Sequence, residues 1–324
     1  MSDAPIFGTS DRSPAHVWIS ALLLVETLCV LVALAAAALL AAEAAAPLWL
    51  RAALTLALGL WLDRLYTIGH EAAHRKLFPD HPRLNDLAGA LALAPLLVPL
   101  AVFRKIHAFH HGHNRRAPKV ATLDVVLLPP GPGIRRALAR ALGWATWTLG
   151  VFAGGFYLHG LVSVVLFLLL PTALARRVSP AFAGWRPRLR ARAWAELGAG
   201  VLLHAGLWLG LGREAWLAAL GLPTLAFAWI YSMLVYIYHY RTPVGAEVRS
   251  NVRSLPPSSV MSWVLLNFNE HATHHADPRI PWYLLPLRRS AARPAPEARP
   301  PRTIARAVLR QLRGPIFVER EARP

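Results

Sequence analysis

Long apolar runs separated by short basic stretches dominate the chain. Across residues 17–42 the only charge is Glu26, and across 48–62 the only charge is Arg51. Further apolar runs cover residues 87–103, 142–171, 197–211 and 215–238. Several reach the roughly 20 residues a helix needs to cross a bilayer. The pattern predicts an all-α, polytopic membrane protein with about four transmembrane helices plus re-entrant or interfacial helices.

Taken in order, residues 17–42 and 48–68 read as an antiparallel hairpin turning near Ala46 and Pro47. A polar connection is expected over 75–86. Residues 87–103 are short and interrupted by Pro95 and Pro99, which suits a re-entrant piece better than a span. A proline- and arginine-rich loop is expected over 125–141. Residues 142–171 make one long span or a hairpin bent at Gly154-Gly155 or Gly160, and the hairpin is favoured. Residues 194–211 then lead out and 215–238 return. The domain reading is a polar tail over 1–16, a membrane domain over 17–290 and a Pro/Arg-rich tail over 291–324. In that last tail Ile304, Val308, Leu309 and Leu312 share one face, as in a short basic helix on a membrane surface. The first apolar run follows no basic start or cleavage site, so it is expected to remain as a span.

Charge adds orientation. Of the 35 Lys and Arg residues, 31 fall within 69–141, 173–193 and 239–324. A net charge of +18 can signal nucleic acid, but this distribution points to a membrane and to no nucleic-acid partner. The positive-inside rule puts all three segments in the cytoplasm, and the return of 142–171 to that side follows from the same rule. The single Cys29 lies in an apolar run, so no disulfide forms within the chain.

The same three segments carry the candidate chemistry. His70 and His74 end one apolar run; His107, His110 and His111 follow another; His271, His274 and His275 lie downstream. Helical spacing of three and four residues puts each cluster on one face. Neutral imidazole suits iron, copper, nickel and zinc. Eight such residues exceed one four-coordinate zinc and suit two ions with open positions. His239, where the last span ends, is a ninth candidate. Glu71 either solvates its helix end or orients a neighbouring imidazole. His113, Asn114, Asn267 and Asn269 stand near the clusters as potential hydrogen-bonding neighbours. Asp124 either orients a histidine or is a plain loop aspartate, and the loop reading is favoured. His159 and His204 read as packed core residues.

Other readings exist. His70 to His74 fits the H-E-x-x-H zinc-protease pattern, but that leaves the other clusters without a task. Ordinary surface histidines would not recur three times at helical spacing. A metal transporter is the non-enzyme alternative, though transport sites tend to lie near the bilayer midplane.

The order H-x3-H, H-x2-H-H, H-x2-H-H, with apolar spans between, resembles the integral-membrane fatty acid desaturase superfamily over roughly residues 48–290. His271–His275 followed by Pro281-Trp282-Tyr283-Leu284-Leu285-Pro286 looks like that family's third box and its tail, and the Gly143-Trp144 segment, the later Arg-rich loop and the His239 turn also look like its acyl-lipid branch. The resemblance implies two non-haem iron ions with O2 as co-substrate, under a four-span stalk and a cytoplasmic histidine-rich cap. It implies His70, His74, His107, His110, His111, His271, His274 and His275 as metal ligands, with His239 the best match for a ninth. It implies a cis double bond introduced into a lipid or acyl chain, with electrons from a separate ferredoxin- or cytochrome-type donor. A di-iron hydroxylase or ketolase acting on lipid or carotenoid is the runner-up.

Overall fold

The computed structural model describes residues 14–118, 122–291 and 301–319. Most of the polar tail expected over 1–16, and the proline-rich stretch at 293–300, lie outside the described residues. Helix α1 (Pro14–Glu43) and helix α2 (Leu48–Ala73) form the expected hairpin. Ala and Leu favour helix throughout, and the left-handed Ala45 with Pro47 makes the turn. Helix α3 (Pro82–Leu93) begins inside the expected polar connection, because Pro82 suits a first helical turn. Pro95, a left-handed Leu97 and Pro99 then break the chain, and helix α4 (Leu100–His113) leaves at 96° to α3.

The expected loop over 125–141 is largely ordered structure. It opens with strand β1 (Val125–Leu128), and helix α5 (Ile134–Phe152) starts well before the apolar run. The arginines at 135, 136 and 140 are compatible with helix and simply extend it. Helix α6 (Gly155–Leu169) turns off α5 at 94°, at Gly154, whose φ of 77° favours glycine. This is the bend anticipated at Gly154-Gly155. Helices α7 (Thr172–Val178) and α8 (Pro187–Leu211) follow. Helix α9 (Arg213–Trp216), a wider helical turn and helix α10 (Leu222–Leu234) run on as one 22-residue rod. Short helices α11 (Ser259–Val264), α12 (His271–Ala276) and α13 (Ile304–Arg310) and strand β2 (Ile316–Glu319) complete the described chain.

The fold is therefore mostly, but not wholly, helical. β1 and β2 pair in parallel, Val125 opposite Ile316. The C-terminal helix forms as the sequence suggests, but Ile304 and Val308 pack against Ile237, Tyr238, Val252 and Leu255. Protein covers that part of the apolar face, while Leu309 and Leu312 remain exposed.

Among the described residues, Ala15–Glu43, Pro187–Leu211 and Arg213–Leu234 are long and apolar enough to cross a membrane. Each bent pair, α3–α4 and α5–α6, would add one crossing if it acted as a unit. Leu22, Val32, Leu202 and Leu209 face outward along α1 and α8, as lipid-facing residues do. The chain is an integral membrane protein. α2 is of similar length but carries charge. Its Arg64 is buried, paired with Glu26 of α1, and donates to Thr27 Oγ1 at 3.0 Å. Gly59 lets α2 approach α10 closely: a Cβ there would stand 2.6 Å from Ala226 Cβ. This packing holds the end of α2 beside α4 and α12, where the histidines meet.

Candidate metal centre

Three chain segments bring histidines to the end of α2 from different directions. His70 lies in the last turn of α2 and His74 caps it. The left-handed Arg75 closes that end, with Lys76 N–H donating to Glu71 O at 2.9 Å. α4 supplies His107, His110 and His111, and α12 supplies His271, His274 and His275. His239 sits in a run of turns just past α10.

Nine of the chain's 14 histidines form two groups. One group is His70, His74, His107, His111 and His274; the other is His110, His239, His271 and His275. Within each group the available ring nitrogens lie within 4.8 Å of one another. The two groups adjoin, because the rings of His111 and His275 stack with centroids 4.2 Å apart. α4 feeds both: His107 and His111 are one turn apart on one face, and His110 is offset toward the other group.

The nitrogens are placed for a cation better than for one another. His107 Nε2 is 2.8 Å from His74 Nε2 and 3.1 Å from His111 Nε2, and His274 Nε2 is 3.0 Å from His111 Nε2. In the second group His239 Nε2 is 3.0 Å from His271 Nε2. A neutral imidazole has one N–H, so one hydrogen cannot serve every close approach. Both ring nitrogens of His70 and of His275 are buried without a hydrogen-bond partner. Nitrogens about 2.1 Å from one ion at right angles would be about 3.0 Å apart, which fits these separations. Burial, with neighbouring imidazoles adding to it, pushes His239, His271, His274 and His275 well below the usual histidine range. These rings stay neutral, the form that ligates. The residues present fit two all-imidazole metal sites.

The surroundings differ in part from the sequence expectations. Glu71 is buried, with Oε1 3.5 Å from His70 Nδ1 and Oε2 accepting from Trp282 N–H at 3.3 Å. It therefore stands beside an imidazole rather than solvating a helix end. Phe103 stacks on His107, and Phe268 packs on His70 and His271. His113 lies outside both groups, stacked on Phe109. Asn267 donates to Trp282 O, and Asn269 bonds Ser262 and Glu270, so neither reaches a histidine. Asn114 and Asp124 are fully buried. Asp124 is thus no plain loop aspartate: it pairs with Arg115. His204 is hydrogen-bonded to Pro95 O at 2.9 Å, as a packed histidine should be. His159 is exposed instead of packed, since it falls on the outward face of α6.

Two contributors escaped the sequence reading. His16 is buried where a tail was expected, bonded to Tyr283 Oη at 2.7 Å and Lys76 O at 2.6 Å. Glu270, just before the third box, is buried and paired with Arg289 at 2.5 Å. An acid abutting a histidine cluster was its only local signal.

A family profile described as fatty acid desaturase matches residues 47–306. The chain belongs to the fatty acid desaturase family. Similar curated proteins within it include the sn-1 oleoyl-lipid 12-desaturase of Synechocystis sp., 32% identical over 95 residues, which are 28% of this chain and 27% of that protein. The chloroplastic omega-3 fatty acid desaturase of Glycine max is 26% identical over 248 residues, 71% of this chain and 51% of that protein. The Delta(12) fatty acid desaturase of Caenorhabditis elegans is 38% identical over 63 residues, 19% of this chain and 16% of that protein. The chain spans at most about half the length of these three desaturases. Both histidine groups fall within the matched residues.

Proposed function

We propose that this protein is an O2-dependent di-iron fatty acid desaturase that introduces a cis double bond into a lipid-borne or other acyl chain. The observation that carries the reading is the gathering of three histidine boxes and His239 into two adjoining all-imidazole groups, in a chain of the desaturase family. His70, His74, His107, His111 and His274 would hold one iron, and His110, His239, His271 and His275 the other. When bound, the iron pair supplies the oxidation of an unactivated C–H bond by O2. Overall, two hydrogens leave neighbouring carbons and O2 becomes two waters. Two electrons come from the substrate and two, with two protons, from the medium and a separate ferredoxin- or cytochrome-type donor.

The chain's own residues do the positioning. Neutral imidazoles present their lone pairs, and Glu71 stands beside Nδ1 of His70. Phe103 and Phe268 wall the groups against water. The apolar bundle beneath suits an acyl chain, whose burial contributes about 0.8 kcal/mol per CH2. That two members of the family act on oleoyl lipids or on omega-3 positions, by their names, supports an acyl substrate here.

The deciding experiment compares lipids of a host expressing the protein, or its His274→Ala variant, by gas chromatography with mass spectrometry. The expected result is a new unsaturated acyl chain, absent with the variant, whose iron content is also lower. An oxygenated lipid or carotenoid instead would assign the hydroxylase or ketolase reaction. An unchanged product and iron content in the variant would overturn the ligand set.

We also infer four spans, α1, α2, α8 and the α9–α10 rod, with the bent pairs dipping in from the cytoplasmic side and all boxes there. The clustering of 31 of 35 basic residues in the segments that carry the boxes supports this sidedness. In a Cys29→Ser background, Arg188→Cys should react with an impermeant maleimide from the cytoplasmic face and Arg213→Cys from the opposite face. Labelling of both from one face would refute the topology.

A further inference from the structure

The four histidines of the second group do not share a rigid element. His110 belongs to α4 and His271 and His275 to α12, but His239 rides on a run of turns beyond α10. Turns hold a ligand only as well as their hydrogen bonds do. Here those bonds lead to one place, the residues that directly follow the second box.

Arg115, fully buried and left-handed, donates through Nη1 to Asp124 and, at 2.8 Å, to Tyr236 Oη. Its Nε donates to Thr242 O at 3.1 Å. Asp124, also fully buried, accepts from Tyr236 Oη at 3.0 Å and from Arg241 N–H at 2.7 Å. The two side chains thus grip the His239 turn on both sides, three residues before it and two and three after. A second layer repeats the link. Asn251 Nδ2 donates to Arg115 O at 3.2 Å, while Thr242 Oγ1 donates to His239 O at 2.8 Å. Asn114 Nδ2 donates to Asn251 O at 2.8 Å. None of these side chains makes a hydrogen bond to a histidine ring.

We infer that Asp124 and Arg115 are positioning residues for the second metal group, fixing His239 relative to His110 through a buried bridge from the end of the second box to the His239 turn. The inference rests on the two-metal reading above. It assigns the bridge to one group only. The first group draws its five histidines from α2 and its cap, α4 and α12, and none lies in the bridged turn. Loosening the bridge should therefore release one ion and leave the other.

The test is iron stoichiometry and Mössbauer spectra of the full-length protein purified in detergent and loaded with Fe(II). Wild type should hold two irons per chain, and Asp124→Asn, which meets the Arg241 N–H with a donor, should hold about one with the first group's spectrum retained. Wild type holding fewer than two would overturn the two-metal reading and this inference with it. Two irons with unchanged spectra in Asp124→Asn would overturn the inference alone. If Asp124→Asn does not fold, Tyr236→Phe removes a single hydroxyl of the bridge. One of its two irons should then pass to a chelator faster than in wild type; equal rates would count against the bridge. Glu26→Gln, which removes the charge paired with buried Arg64 away from the turn, should lower thermal stability yet keep both irons. Selective loss of one iron there too would show that any destabilisation empties the second group, and the assignment to Asp124 and Arg115 would fall.

Discussion

A carboxylate beside one nitrogen of an imidazole decides which nitrogen faces the metal. Glu71 Oε1 stands 3.5 Å from His70 Nδ1, and its other oxygen is tied to the backbone of Trp282. A proton on Nδ1, the nitrogen nearer Glu71, leaves the Nε2 lone pair for the first group. Such outer partners typically contribute 10–100-fold to metal affinity or activity. Glu71→Gln keeps the shape and replaces one carboxyl oxygen with an amide nitrogen. It is expected to weaken iron affinity or turnover by roughly 10–100-fold while still yielding the unsaturated product. Complete loss of product with both irons still bound would instead make Glu71 a group in the chemistry itself, as a zinc-protease base would be. The residue was visible in the sequence because it sits inside a histidine cluster. Asp124 read first as a loop aspartate, with orienting a histidine as the alternative, because its partners Arg115 and Tyr236 are brought to it only by the fold.

At the scale of elements, what was legible followed from local rules. The α1–α2 hairpin comes from two Ala/Leu-rich runs divided by a proline, and the bent pairs come from Pro95, Pro99 and Gly154. Helical spacing put each box on one face, which is why three short motifs could be read as one kind of site. The boundaries were less legible where basic residues continue a helix beyond its apolar part, as at the starts of α5 and α8. Hydropathy sees the lipid-facing length, whereas the helix ends where hydrogen bonding ends. The β1–β2 pair was illegible altogether. It joins Val125 to Ile316 across most of the chain, and four-residue strands carry too little alternation to announce themselves. The C-terminal helix shows a mixture: its amphipathic face was readable, but the partner on that face, the Tyr238–Val252 cluster, was not.

At the scale of the whole molecule, a centre built from neutral imidazoles ties stability to pH. His239, His271, His274 and His275 are held well below the ordinary value of 6.5 by burial. In the unfolded chain the same rings take a proton near 6.5. Below that pH the unfolded state binds more protons than the folded one, so stability rises with pH and is lost as pH falls. Each such ring contributes a slope of up to about 1.4 kcal/mol per pH unit, and the slopes add. Bound metal steepens the loss, because protons compete for the same nitrogens. The unfolding midpoint in detergent, followed by tryptophan fluorescence, is therefore expected to fall clearly between pH 7.5 and pH 5.5, with iron released over the same interval. The metal-free protein should show the same direction with a smaller drop. A midpoint unchanged across that interval would mean that the rings are not buried neutral as a set, and the packing of nine histidines at the end of α2 would need another source of cohesion than metal ligation.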